Sequence, residues 1–133
     1  MRTKFLKLWL PVITWAGLIF LLSAIPSLKS ELEYDFFLRK VAHVVEYLIF
    51  TFLLLRAFEG SFKMGAWGLF IYPAAIALLY AASDEFHQHF VRGRRGCVED
   101  ILIDAIGILG LYVFSAAASG AAGGRTWRWW LKP

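Results

Sequence analysis

The stretch SDEFHQHFVRGRRGCVED, residues 83–100, concentrates ionisable side chains in an otherwise apolar sequence. It holds four carboxylates, two histidines, three arginines and a glutamine within eighteen residues. A second polar stretch, KVAHVVEY at residues 40–47, adds a lysine, a histidine and a glutamate. Imidazole and carboxylate groups bind divalent metals or transfer protons, and guanidinium groups bind phosphate. Most of the candidate functional residues therefore lie in these two stretches.

Imidazole and carboxylate groups make up the candidates for catalysis or metal binding. They are His43, Glu46, Asp84, His87 and Asp100, and Glu85 and Asp104 could supply further carboxylate ligands. Two histidines with one or two carboxylates would suit Zn²⁺ or Mg²⁺, and a remaining acid would act as general base on a phosphoryl or acyl bond. The spacings H-x-x-E and D-E-x-H differ from H-E-x-x-H, so no known metal motif is matched. A divalent metal is one hypothesis for the cofactor.

Cationic side chains form a second group of candidates, which would bind an anion. They are Lys40, Arg92, Arg94 and Arg95. Because guanidinium groups bind phosphate oxygens in pairs, the expected ligand is a membrane lipid or a lipid-linked cell-wall precursor. Other polar side chains would support this site by hydrogen bonds. They are Tyr47, Glu85, Gln88 and Asp104.

A third interpretation is purely structural, with acids pairing with lysine and arginine to fix the register of packed helices. We expect Arg94 to contact Asp100 or Glu85, and Glu85 to point away from the helix face shared by Asp84, His87 and Gln88. The residues alone leave three alternatives: an anion site, a metal-dependent hydrolase or transferase, and a structural polar cap.

The composition indicates a membrane protein. Hydrophobic residues make up 59% of the 133 residues, and only 18% are charged, whereas about a quarter are charged in ordinary soluble domains. The net charge of +4 is spread over loops and ends, which indicates contact with lipid headgroups and excludes nucleic acid as the expected partner. The single cysteine, Cys97, excludes a disulfide within the chain.

Four apolar runs are long enough to cross a bilayer as helices, which need about twenty residues each. The predicted spans are residues 8–25, 41–58, 64–82 and 101–118. Backbone groups in lipid need partners within their own segment, so helices are expected throughout. The sequence predicts an all-α polytopic membrane protein, a single domain over residues 1–133 with a bundle of four transmembrane helices and a flexible tail at 119–133.

The distribution of basic residues predicts the orientation. Four spans place both termini on one side, where eight of the fourteen lysines and arginines lie, against six on the other. Cytoplasmic loops carry the excess of these residues, so both termini are expected to be cytoplasmic. The polar stretches then face outward.

Helical spacing predicts that the polar side chains converge. Lys40, His43, Glu46 and Tyr47 fall on one face of the second span, and Asp100, Asp104 and Gly107 fall on one face of the fourth. Charges inside a membrane span are costly unless they face inward and find partners. We therefore expect one polar pocket where three helix faces meet, and Gly107 and Gly110 would let a neighbouring helix approach closely.

These motifs resemble those of the VanZ-like family of bacterial membrane proteins. KVAHVVEY resembles the family signature K-x-x-H-x-x-E-Y. Residues 83–107 resemble S-D-E-x-H-Q-x-F-x-x-G-R followed by D-x-x-x-D-x-x-G, and Ser23 with Pro26 resembles S-x-x-P. The resemblance covers about residues 20–110. Two departures are Arg39, where an aspartate is common, and Asp104, where an asparagine is usual.

The resemblance implies a multi-pass protein of the bacterial plasma membrane. It also implies a relation to glycopeptide resistance, because the member that gives the family its name is linked to resistance to teicoplanin. No established reaction comes with the family, so the chemistry must be argued from the residues.

Overall fold

The computed structural model describes residues 2–26, 34–94 and 96–121 and folds them into four α-helices. These are α1 (Arg2–Ser23), α2 (Asp35–Ser61), α3 (Ala66–Gln88) and α4 (Val98–Ala121). All four are long and apolar enough to cross a membrane. The 22 residues of α1 extend about 33 Å at 1.5 Å per residue, against a hydrocarbon core of about 30 Å. The prediction of an all-α bundle with four spans is confirmed.

The helices extend beyond the predicted spans because their polar ends stay helical outside the apolar runs. Helix α3 continues to Gln88, so Asp84, Glu85 and His87 belong to its last turns. Helix α4 begins at Val98, so Asp100 lies in its first turn. It reaches Ala121, which makes the first three residues of the predicted flexible tail helical; residues 122–133 lie outside the described residues.

Helix α2 is the centre of the bundle, since it packs against each of the other three helices. Its side chains Phe50, Leu54, Leu55 and Phe58 are buried in the apolar core. Many large apolar side chains on the outer faces of α1, α3 and α4 are exposed, such as Leu79. This pattern suits helices surrounded by lipid.

Helices α2 and α4 approach each other closely at Gly107. A Cβ atom at this position would overlap the carbonyl oxygen of Val44, so only glycine fits the contact as it stands. Gly110 differs, because no described atom beyond its own stretch of helix lies within 4 Å of where its Cβ would be. The predicted close approach is therefore made at Gly107 and not at Gly110.

One end of the bundle gathers the end of α1, the start of α2, the end of α3 and the start of α4. We call this end, with the loop of residues 89–97, the polar cap. Contacts between the elements show that they meet: Arg94 in the loop reaches Leu22 of α1, and Lys40 of α2 pairs with Asp100 of α4. The opposite end is aromatic and includes a hydrogen bond from Trp9 Nε1 to Ser61 Oγ at 2.9 Å.

Candidate functional site: the polar cap

Two polar contacts join α2 to α4, one helical turn apart. Lys40 forms an ion pair with Asp100. One turn further into the bundle, His43 Nδ1 lies 3.0 Å from Asp104 Oδ1. Residues three or four apart share a helix face, and the pairs 40/43 and 100/104 have that spacing. The predicted polar faces of the second and fourth spans therefore do face each other.

The last turns of α3 bring three polar side chains into the interior: Asp84, Glu85 and Gln88 are each about 95% buried. Gln88 Nε2 donates to Asp84 Oδ2 at 2.9 Å and to Glu85 Oε1 at 3.3 Å. Glu85 Oε2 accepts a hydrogen bond from the backbone N–H of Cys97 at 2.9 Å. The amide of Gln88 thus provides hydrogen bonds to one oxygen of each of two neighbouring carboxylates.

The prediction that Glu85 points away from this face is wrong. The interior face of α3 includes both Asp84 and Glu85, because the helix end is covered by the loop of residues 89–97 as well as by its neighbours. Gly96 presses directly on this end: a Cβ there would overlap the backbone carbonyl oxygen of Glu85. His87, predicted on the inner face, instead lies toward α1, with its ring 4.6 Å from the ring of Phe20.

Arg94 ties the loop to α1. Its Nη2 donates to the carbonyl oxygen of Leu22 at 2.7 Å, and its Nε donates to that of Ile25 at 3.2 Å. The last carbonyls of a helix have no partner within it and carry partial negative charge, which attracts a cation. The predicted contact of Arg94 with Asp100 or Glu85 is therefore wrong. Lys40 pairs with Asp100, and the guanidinium binds the carbonyls of Leu22, in the last turn of α1, and of Ile25, two residues beyond that helix.

Burial and neighbouring charges shift the pKa values of two side chains in the loop, Arg94 and Cys97, which lie outside the membrane spans. Burial, followed by the neighbouring charge of Arg39, lowers the pKa of Arg94 from its usual value, against the opposing effect of nearby carboxylates. An arginine remains protonated at neutral pH all the same. Burial raises the pKa of Cys97, whose Sγ donates to Asp100 Oδ2 at 3.1 Å.

The described residues of the polar cap line two adjoining cavities. The larger, which we call the outer cavity, has a volume of about 510 Å³. It is lined by Phe36, Arg39, Lys40, His43, Gln88, Gly93, Arg94, Cys97 and Asp100. The inner cavity, of about 80 Å³, lies further along the helices. It is lined by Ile19, Leu22, Ser23, Arg39, Ala42, His43, Glu46, Asp84, Gln88 and Arg94.

The two cavities differ in charge although they share four lining residues. Three cations (Arg39, Lys40 and Arg94) and one carboxylate line the outer cavity. Two of these cations, Arg39 and Arg94, also line the inner cavity, together with two carboxylates, Glu46 and Asp84. The outer cavity therefore favours an anion, and the carboxylates lie deeper.

Among the described residues, two groups of donors lie close enough to share a metal ion, and neither contains the predicted candidates Glu46, Asp84 or His87. His43, Glu85 and Asp104 form one, and Glu85, Cys97 and Asp100 form the other, each with donor atoms within 4.8 Å of one another. Both groups depend on Glu85, which the sequence placed among the supporting residues. The spacing of the residues around Glu85 does not predict that its carboxylate belongs to both donor groups.

Comparison with known proteins shows what this arrangement belongs to. Residues 4–118 match the family described as VanZ/LLP1. The chain belongs to this family. The match runs from the first turn of α1 into the last turns of α4, so the polar cap lies wholly within the VanZ/LLP1 region. The predicted resemblance is confirmed.

A relative of this VanZ/LLP1 chain is found in Bacillus subtilis (strain 168), the uncharacterized membrane protein YwnJ. The two are 34% identical over 101 residues, which cover 68% of this chain and 65% of YwnJ. The chain thus spans less than two thirds of the length of that relative. No solved structure matches the chain.

The remaining predicted residues of the VanZ/LLP1 chain divide between the cavities and the surface. Arg92 is exposed and lies outside both cavities, and Arg95 lies outside the described residues. Tyr47 is fully buried, and its hydroxyl has no hydrogen-bond partner in the described part of the chain. Arg39 was treated as a departure from the family pattern, yet it lines both cavities. Its spacing of four from His43 is the signal that would have placed it there.

Proposed function

We propose that this VanZ/LLP1 protein binds a phosphate-bearing lipid or a lipid-linked cell-wall precursor in the outer cavity. The observation that carries the proposal is the lining of that cavity, in which three cations face one carboxylate. A volume of about 510 Å³ falls in the range of about 300–1,000 Å³ typical of small-ligand sites. The cavity can hold a phosphorylated headgroup.

The position of the outer cavity supports a lipid as the source of the phosphate. Its lining residues belong to helix ends and to the loop of residues 89–97, the level at which headgroups lie. Exposed apolar side chains of α2, Phe36, Phe37 and Leu38, adjoin this level. A lipid whose headgroup enters the cavity keeps its acyl or prenyl chains beside these side chains.

The carboxylates hold the cations in place for the ligand. Asp100 pairs with Lys40, whose side chain remains 22% exposed, and the carbonyls of Leu22 and Ile25 hold two nitrogens of Arg94. Cations that are already positioned lose less conformational entropy when they bind a phosphate, which raises affinity. The polar network of the cap is thereby part of the binding site.

A direct binding measurement tests this proposal. Purified protein in detergent is titrated with a polyprenyl monophosphate and with the matching polyprenol, which lacks the phosphate. We expect only the phosphate to bind, and Lys40→Gln to weaken binding roughly tenfold to a hundredfold, as loss of one charge-assisted hydrogen bond does. Arg92→Gln is the matched control, because it removes an exposed charge of the same loop.

Equal binding of phosphate and polyprenol would contradict the proposal, as would equal effects of Lys40→Gln and Arg92→Gln. The double variant Lys40→Gln/Asp100→Asn keeps the test valid if the single change destabilises the fold by leaving Asp100 unpaired. Lipid phosphate that co-purifies with each variant gives a second reading on the same samples.

We further propose that both termini are cytoplasmic and that the polar cap faces outward, where it contributes to teicoplanin resistance. In a Cys97→Ser background, Arg92→Cys in the cap loop should react with an impermeant maleimide on intact cells. Lys63→Cys, exposed between α2 and α3 at the opposite end, should react only after permeabilisation. The reverse pattern would overturn the orientation.

Expression of the wild type, and not of Lys40→Gln, should raise the teicoplanin concentration that inhibits growth.

A further inference from the structure

We propose that His43, Glu85 and Asp104 bind one divalent first-row transition-metal ion, Zn²⁺ or Mn²⁺, between α2, α3 and α4. The site goes beyond the proposed lipid binding, because none of its three ligands is a cation of the outer cavity. One imidazole and two carboxylates form a mixed nitrogen and oxygen donor set, which suits these two metals.

The donor atoms are already close together although they come from three helices. All lie within 4.8 Å of one another, and His43 Nδ1 is 3.0 Å from Asp104 Oδ1. Two ligands bound to one tetrahedral Zn²⁺ lie about 3.3 Å apart, given metal–ligand distances of about 2.0 Å. The observed separation of His43 and Asp104 is therefore close to that of neighbouring ligands on one ion.

Buried oxygen atoms at this site have no hydrogen-bond partner. Asp104 is fully buried, and its Oδ2 has none among the described residues. Asp84, buried beside these ligands, likewise has an unpartnered Oδ1. A buried carboxylate left without partners is costly, so atoms of this kind point to a missing binding partner. A divalent cation would be such a partner, and its charge would balance the two carboxylates of Glu85 and Asp104.

The second group of donors is less suited to a metal. In that group Asp100 is paired with the ammonium of Lys40 and accepts a hydrogen bond from the thiol of Cys97. A metal ion there would compete with Lys40 for the carboxylate. Asp104, by contrast, has the imidazole of His43 as its hydrogen-bond partner, and imidazole is itself a metal ligand.

The position of His43 connects the proposed ion to both cavities, since this residue lines each of them. The ion would lie at the boundary between the cationic outer cavity and the carboxylates of the inner one. Solvent or a ligand oxygen in either cavity can then complete its coordination.

The test is a metal-binding measurement on the full chain in detergent, purified with an affinity tag that contains no histidine. The protein is stripped with a chelator, incubated with Zn²⁺ or Mn²⁺ separately, desalted, and analysed by elemental mass spectrometry. We expect a stoichiometric amount of at least one metal, with a rise in melting temperature on binding. His43→Ala and Asp104→Asn should lose both effects, and Asp104→Asn keeps the shape of the side chain if His43→Ala does not fold.

The matched control is His89→Ala, because His89 is an exposed histidine outside both donor groups. It should bind metal like the wild type. If the wild-type protein retains neither metal, the proposal is overturned and His43 and Asp104 form only an ion pair. Metal retention that Asp104→Asn leaves unchanged would also overturn the proposal.

Failure of this inference and failure of the proposed lipid binding are distinguishable on the same samples. Lys40→Gln should lose lipid phosphate and keep the metal, since Lys40 lies in the outer cavity and is not a ligand. Absence of metal together with phosphate binding that depends on Lys40 would overturn the metal site alone.

Discussion

The contact between α2 and α4 at Gly107 predicts a sharp difference between two glycines of one helix. Gly107→Ala places a methyl group against the carbonyl oxygen of Val44, and the Leu48 backbone nitrogen is 3.1 Å from the same point. Backbone atoms cannot rotate away as a side chain can, so the two helices must separate. Overpacking of this kind costs about 1–3 kcal/mol.

Gly110→Ala is the matched control, because its new methyl group meets open space in the described structure. In a helix, alanine is more stable than glycine by roughly 0.5–1 kcal/mol. Gly107→Ala gains the same amount, so the two variants should differ in free energy of unfolding by the overpacking cost alone, about 1–3 kcal/mol, with Gly107→Ala the less stable.

The assay is reversible unfolding in mixed micelles, with increasing fractions of a denaturing detergent. Separation of α2 from α4 should also weaken binding at the polar cap, since Lys40, His43, Asp100 and Asp104 lie on these two helices. If Gly107→Ala unfolds at the same detergent fraction as Gly110→Ala, the inferred close contact is refuted.

Two further outcomes follow from the loop of the polar cap. Arg94→Gln should destabilise the protein by about 1–3 kcal/mol, because it removes a charged donor from the carbonyls of Leu22 and Ile25. Arg92→Gln is the control: Arg92 is exposed, so this change should move the unfolding midpoint little. Equal effects of the two changes would contradict the capping role of Arg94. Because burial raises the pKa of Cys97, its alkylation rate should keep rising at pH values where an exposed thiol has levelled off, and a profile like that of a free thiol would contradict this burial.

The bundle could be predicted because its signals are local in the sequence. Apolar runs of membrane-spanning length predicted four helices, and spacings of three and four predicted that Lys40 and His43 would face Asp100 and Asp104. Both rules rest on helix geometry and on the cost of placing charges in lipid. They need no knowledge of which atoms meet.

The details of the polar cap could not be predicted, because they depend on how the loop of residues 89–97 folds back. Glu85 is buried by that loop, through the N–H of Cys97 and the close contact at Gly96. Arg94 has four carboxylates in its own polar stretch, yet it binds carbonyl oxygens that lie 69 and 72 residues away along the chain. Such partners leave no trace in side-chain patterns.

Helix α1 is held to the others partly through its backbone, in addition to its buried side chains Leu8, Val12 and Ile19 and the hydrogen bonds that Trp9 and Trp15 donate. Its carbonyl oxygens accept hydrogen bonds at Leu22 from Arg94 and at Ala16 from the hydroxyl of Tyr80, each at 2.7 Å. Every residue type supplies the same carbonyl, so these contacts survive most substitutions of the residues that make them. Scanning mutagenesis of α1 side chains leaves these carbonyl oxygens in place, so it would underestimate how much the polar cap depends on this helix.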